Sequence, residues 1–203
     1  MTLEQALARL RESYAQSILS ETEFRGEKSL SVKIESLPEM CRFCRDELGF
    51  DYLIDISSVD HFGSYPRYEI VYELYSMASS VHLRIKTLVP DEDNPVAPTV
   101  SDIWPTANWH EREVYDMMGI RFDGHPDLRR ILMWEGYPFF PLRKDFPLEG
   151  KPSEVAEVAF TDAAPLAGGP FVTAPIDGTT QVREPRARRG GDELPREKFI
   201  AEP

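Results

Sequence analysis

Arg67-Tyr-Glu-Ile-Val-Tyr-Glu-Leu-Tyr75, then Ser76-Met-Ala-Ser-Ser80, then Val81-His-Leu-Arg-Ile-Lys-Thr-Leu-Val89: these three stretches decide the fold. In the first, Tyr68, Ile70, Tyr72 and Leu74 recur at every second position, the period of a half-buried strand. In the third, Val81, Leu83 and Ile85 oppose His82, Arg84 and Lys86. Small and polar residues join the two, so a hairpin is predicted. Its charged outer face suits an antiparallel sheet covered on one side only.

Upstream, Thr2-Leu-Glu-Gln5 reads as a capping box, with Leu3, Ala6, Leu7 and Leu10 on one helical face. Leu30, Val32 and Ile34 alternate as a strand. Ser36 to Glu39 repeats the capping signal, with Pro38 tolerated in the first turn. That helix runs through Cys41, Cys44 and Leu48 and stops at Gly49. Tyr52 to Ser57 reads as another strand. Downstream, Asn94 to Pro98 is a loop, and Thr99 to Asp102 is predicted to start a short helix ending before Pro105. Asn108 is predicted to cap a helix from Trp109 to Met118, closed by Gly119. The expected fold is α+β: a two-layer sandwich with helices on one face of a mixed, mostly antiparallel four-stranded sheet, and an extended C-terminal tail.

Composition narrows the function. Lys and Arg number 23 against 35 Asp and Glu, a formal charge of −12 over 203 residues, the opposite of a nucleic-acid binder. Two Cys are too few for a disulfide scaffold. No apolar run of about 18 residues is present to span a membrane, and the start lacks the basic and apolar regions of a secretory signal. The stretch from Lys151 to Pro203 holds seven Pro and five Gly, against ten and seven in the nearly threefold longer stretch before it. Its apolar residues, such as Phe160, Phe171 and Phe199, are mostly single. Alone, such a segment buries too little surface to offset its chain entropy. The expected organisation is therefore a domain over 1–150 and a Pro/Gly-rich tail over 151–203 that lies on a partner.

Most candidate chemistry fails on spacing. Cys41-Arg-Phe-Cys44 lies inside an amphipathic helix rather than at a helix N-terminus after a strand, and no further Cys exists to complete a metal or iron–sulfur site. Two buried thiols on an apolar stripe is the better reading. His110-Glu111 lacks the second His of a zincin, since Val114 stands four residues on. A metal held by His110, Glu113, Asp116 and His125 is a weak alternative. No Gly-rich phosphate cradle and no nucleophile elbow is present. What remains is a charged block. On its helix, Arg112 and Asp116 stand four apart and can pair, and His110, Val114, Met117 and Met118 share the expected buried side. Charge clusters are usually solvated faces. The alternative is that Arg forks fix loops, and a partner, by bidentate hydrogen bonds.

At these residues the sequence resembles the NuoC-like subunits of the proton-pumping NADH:quinone oxidoreductase, respiratory complex I. The likeness rests on Glu111-Arg-Glu-Val-Tyr-Asp-Met-Met-Gly119, His125-Pro-Asp-Leu-Arg-Arg-Ile-Leu132 and Pro141-Leu-Arg-Lys-Asp-Phe-Pro-Leu148. Arg67 to Leu74 and Thr99 to Trp104 also fit. The resemblance implies structural or partner-interface roles for Glu111, Arg112, Glu113, Tyr115, Asp116 and Gly119. The same holds for His125, Pro126, Asp127, Arg129 and Arg130, and for Arg143, Lys144 and Asp145. One departure stands at Phe140, where the family often has a histidine. The family further implies a peripheral-arm subunit without catalytic, cofactor-binding or metal-binding residues of its own. It would sit on the cytoplasmic side of the inner membrane. NADH, flavin, iron–sulfur clusters and quinone would belong to other subunits, and the partners would be NuoD-like, NuoB-like and NuoI-like. The equivalent subunit of a related membrane-bound hydrogenase or dehydrogenase, a stand-alone metal or thiol enzyme, and a free acidic binding module are the competing readings.

Overall fold

A computed structural model of the chain describes residues 1–134 and 136–147. In order, α1 (Leu3–Tyr14), β1 (Ile18–Phe24), β2 (Glu27–Val32), α2 (Leu37–Asp46), β3 (Tyr52–Asp60), β4 (Tyr68–Ser76), β5 (Val81–Val89), β6 (Val96–Pro98), α3 (Ala107–Met118) and β7 (Arg121–Asp123) build an α+β molecule. The main sheet runs β1-β2-β5-β4-β3, and β6 pairs with β7 in a second, small sheet. The β2–β5 pair is parallel and the other main-sheet pairs are antiparallel, so the sheet is mixed and mostly antiparallel as expected.

The main sheet has five strands rather than four. The extra one, β1, returns against β2 through Arg25-Gly26, whose φ values of 53° and 83° give the twisted two-residue turn that hairpins favour. Its residues are largely exposed, so no alternation announced it. The expected hairpin is in register, with Tyr72 opposite Ile85 and Leu74 opposite Leu83, all buried. The Thr2 box caps α1 with both reciprocal hydrogen bonds present. At α2 the anticipated cap fails: Ser36 makes no capping bond and instead shares a 2.8 Å hydroxyl contact with Ser17.

One core fills the space between the helices and the inner sheet face, from Leu7 and Leu10 of α1 and Met40, Cys41 and Cys44 of α2 to Ile70, Tyr72, Leu83 and Ile85 of the sheet. The predicted helix at Thr99–Asp102 is a single turn, in which the amides of Ile103 and Trp104 both reach the Val100 carbonyl at 3.0 Å. The next helix begins at Ala107, not Trp109, and Thr106 precedes it without a side-chain cap. The expected 150/151 boundary and the expected tail lie outside the described residues.

Candidate functional site

Val114, Met117 and Met118 are buried on the expected side of α3, but the helix also buries charge, against the expectation of a solvated cluster. Glu111 and Asp116 are fully buried and Arg112 is 6 % exposed, whereas His110 is half-buried beside Asp55 at 3.2 Å. Arg112 does not pair with Asp116. Its Nε donates to the Arg129 carbonyl at 3.2 Å and its Nη2 to that of Arg130 at 3.4 Å, while its guanidinium lies over Trp109. Asp116 takes Arg130 instead, at 2.5 Å on Oδ1. Its Oδ2 accepts the amides of Ile131, Leu132 and Met133 at 3.0, 2.7 and 2.8 Å. Burial pushes this carboxyl up, but the three amides and Arg130 outweigh it and hold it below its ordinary value.

The same device recurs along the following segment. Arg130 also donates to the carbonyls of Asp116, Tyr137 and Phe139. Arg143 donates from Nε to the Met118 carbonyl at 2.7 Å and stacks over Phe140 at 4.4 Å, so the residue that departs from the family pattern acts as a platform for Arg143 and, at 5.1 Å, for Arg130. Gly119 has φ +75°, and a Cβ there would stand 2.5 Å from the Arg143 guanidinium and 2.7 Å from the Phe140 ring. Only glycine lets the helix end so close to that stack.

A second anchor joins Lys144 and Asp145, both expected to be structural, to a pair that the sequence does not announce, Asp60 and Arg67. Asp60 and Arg67 flank the loop between β3 and β4 and form a buried two-point pair, both bonds 2.8 Å. Arg67 reaches Asp145 at 3.0 Å, and the Lys144 amide donates to Asp60 at 2.8 Å. The Arg67 hydrogen bond holds Asp60 below its ordinary value against the opposing effect of burial. No spacing announces this pair: Asp60 ends β3 and Arg67 stands just before β4, and only the fold of the loop between them brings the two together.

Glu111 is bonded by the Thr99 hydroxyl at 2.5 Å and the Val100 amide at 2.7 Å. Burial raises its carboxyl to about 7 despite both bonds. His125 Nε2 donates to the Asn108 carbonyl at 3.1 Å, and its Nδ1 accepts the Asp127 amide at 3.0 Å. Glu113, Pro126, Asp127, Arg129 and Lys144 are exposed, with Arg129 on Asp127 at 2.9 Å, and Tyr115 is half-buried.

The residues weighed for a metal are drawn apart: His110 to Asp55, Asp116 to Arg130, His125 to Asn108. Among the described residues no group of three or more His, Cys, Asp and Glu is placed to hold a metal ion. Cys41 and Cys44 are unpaired thiols in the core, and burial pushes both well up, against thiolate chemistry. The arrangement is a clamp. α3 and the β3–β4 loop hold residues 129–134 and 136–145 by ion pairs and backbone bonds, while Leu132, Trp134 and Leu142 there remain 61, 39 and 62 % exposed.

Comparison with known proteins agrees with the motif reading. Residues 30–152 match the family model described as the respiratory-chain NADH dehydrogenase 30 kDa subunit. The C-type subunit of the NADH-quinone oxidoreductase of Geobacter sulfurreducens is 47 % identical over 150 residues, 73 % of this chain and 92 % of that one. The second such C-type subunit of Rhizobium meliloti is 53 % identical over 62 % of this chain and 69 % of its own. Among solved structures, the trypsin-resistant fragment (1–134) of Nqo5 is similar at a TM-score of 0.56 and 33 % identity, covering 63 % of this chain and all of that one. A chain of the membrane-bound sulfane sulfur reductase, an archaeal respiratory membrane complex, is similar at 0.63 and 26 %, covering 71 % and 85 %.

Proposed function

Since the chain belongs to the respiratory-chain NADH dehydrogenase 30 kDa subunit family, we propose that it is the NuoC-like subunit of an NADH:quinone oxidoreductase and contributes scaffold rather than catalysis. In this reading it sits in the peripheral arm, on the cytoplasmic side of the membrane. It packs on the NuoD-like quinone-site subunit, with NuoB-like and NuoI-like iron–sulfur subunits nearby. The complex as a whole carries electrons from NADH to quinone and couples them to proton translocation. The redox groups belong to those other subunits.

The observation that carries the reading is the clamp. Its buried charges are directed at backbone carbonyls and amides of the chain itself, not at a shared pocket, and the clamped segment turns Leu132 and Leu142 outward. A rigid segment with outward apolar side chains is what a permanent interface needs. Among the described residues no helix is long and apolar enough to cross a membrane, which fits a peripheral place. The likeness to a chain of the sulfane sulfur reductase favours a second reading, the equivalent subunit of a related membrane complex with another electron donor.

The test is incorporation. Purified from native membranes, the chain is expected to bring NADH dehydrogenase subunits with it. Leu132→Asp and Leu142→Asp together should lower its share in the complex at least tenfold while the free chain keeps its unfolding midpoint. Unchanged incorporation would remove the interface; recovery with a different set of redox subunits would favour the second reading.

A further inference from the structure

Among the described residues, Asp60, Glu111 and Asp116 are the buried carboxylic acids. Asp60 is held by Arg67 and Asp116 by Arg130, but no Lys or Arg pairs with Glu111. The nearest group able to become a cation is His125, its Nε2 3.9 Å from Glu111 Oε2, with both side chains fully buried. Three other titratable groups face Glu111 within electrostatic reach: Cys41 from α2, Tyr72 from β4 and Asp102 from the turn before α3. None of them offers a positive charge.

We propose that Glu111 is a proton-controlled latch, which when protonated holds the Thr99–Ser101 turn and the His125–Asp127 turn on α3, and when ionised releases both. With the proton on, Glu111 is the donor in its 2.5 Å contact with Thr99, and Thr99 keeps its own proton for Ser101 Oγ at 2.8 Å. No charge is then buried. The proton that leaves goes to solvent, and the carboxylate left in the interior has the Thr99 hydroxyl and the Val100 amide but no cation beside it, a costly state. His125 can neutralise it only by taking a proton from solvent at Nδ1, the atom that accepts the Asp127 amide at 3.0 Å. Ionisation therefore either strands a charge or breaks the bond that shapes the His125–Asp127 turn. That turn leads directly into the carbonyls of Arg129 and Arg130 that Arg112 grips.

Burial raises Glu111 to about 7, so the event falls near neutrality. An opened state restores the ordinary carboxylate value. The closed state thus weakens as pH rises from the ordinary value toward 7 and changes little above it.

Amide hydrogen exchange on the 203-residue chain tests this. After correction for intrinsic rates, protection of Val100 and Asp127 is expected to fall about tenfold or more between about pH 5.5 and 7.5, then level. In Glu111→Gln the fall should vanish. Protection that is flat in the wild type, or that falls equally in Glu111→Gln, overturns the latch. Should that variant fail to fold, the side-chain ¹³C signal of Glu111 in the wild type decides: a midpoint near neutrality supports the latch, and one in the ordinary carboxylate range overturns it.

Discussion

Asp116 collects five contacts on two oxygens and a carbonyl: Arg130 on Oδ1 and on its own carbonyl, and three successive amides on Oδ2. A fully buried aspartate is tolerable only when its lone pairs are filled in this way. Removing the carboxylate leaves Arg130 short of its counter-charge and three amides without an acceptor. Asp116→Ala is therefore expected to cost about 3–5 kcal/mol of stability, read by urea unfolding of the free chain. Arg130→Met, which removes the opposite charge but keeps apolar bulk, should cost less than Asp116→Ala because the three amides keep their acceptor. Equal losses would show that the ion pair, not the amide cradle, dominates. Asp116 and Arg130 were each legible in the sequence as part of a charged block. Their partnership was not, because Arg112 stands at the right helical spacing for Asp116 and spacing alone cannot tell that a later loop will compete for both.

At the scale of the element, α3 ends where it does because Gly119 takes φ +75° and its amide returns to the Tyr115 carbonyl at 2.9 Å. That stop was legible from the residues alone, since glycine after a periodic run is the usual end of a helix. The crowding by Arg143 and Phe140 was not, because both come from more than twenty positions further along. Gly119→Ala meets both obstacles at once, a left-handed backbone and a guanidinium 2.5 Å from the new Cβ. The expected loss is about 1–3 kcal/mol, with the Arg143 bond to Met118 weakened. Pairing the change with Arg143→Ala isolates the clash with the guanidinium. If the double variant is as unstable as the sum of the singles, backbone strain and the Phe140 ring account for the Gly119 effect; if it is less unstable, the guanidinium clash contributes. β1 fails to announce itself for the opposite reason. Its seven residues are almost all exposed, so its place is set by ladder bonds to β2 and by the Arg25-Gly26 turn rather than by burial. Period-two reasoning sees only strands that hide one face.

For the whole molecule, the buried carboxylic acids set opposing limits on stability against pH. Asp60 and Asp116 are held below their ordinary values by Arg67 and by the Ile131–Met133 amides with Arg130. Their contribution is complete above the ordinary aspartate range and is lost as pH falls through their lowered values. Glu111 is raised to about 7, so it acts the other way: its contribution is complete below its ordinary value and is lost as pH rises toward 7. The formal charge of −12 reinforces the upper limit, since self-repulsion grows as the remaining acids ionise. Denaturant unfolding of the 203-residue chain across pH should therefore peak on the acid side of neutrality. Glu111→Gln should flatten the descent between about pH 5 and 7 while leaving the acid limb in place, and added salt should lift the neutral side by screening without removing the descent. A profile that climbs through neutrality in the wild type, or an acid limb that vanishes with Glu111→Gln, would mean that the burial of Glu111 does not govern how this α+β domain responds to protons.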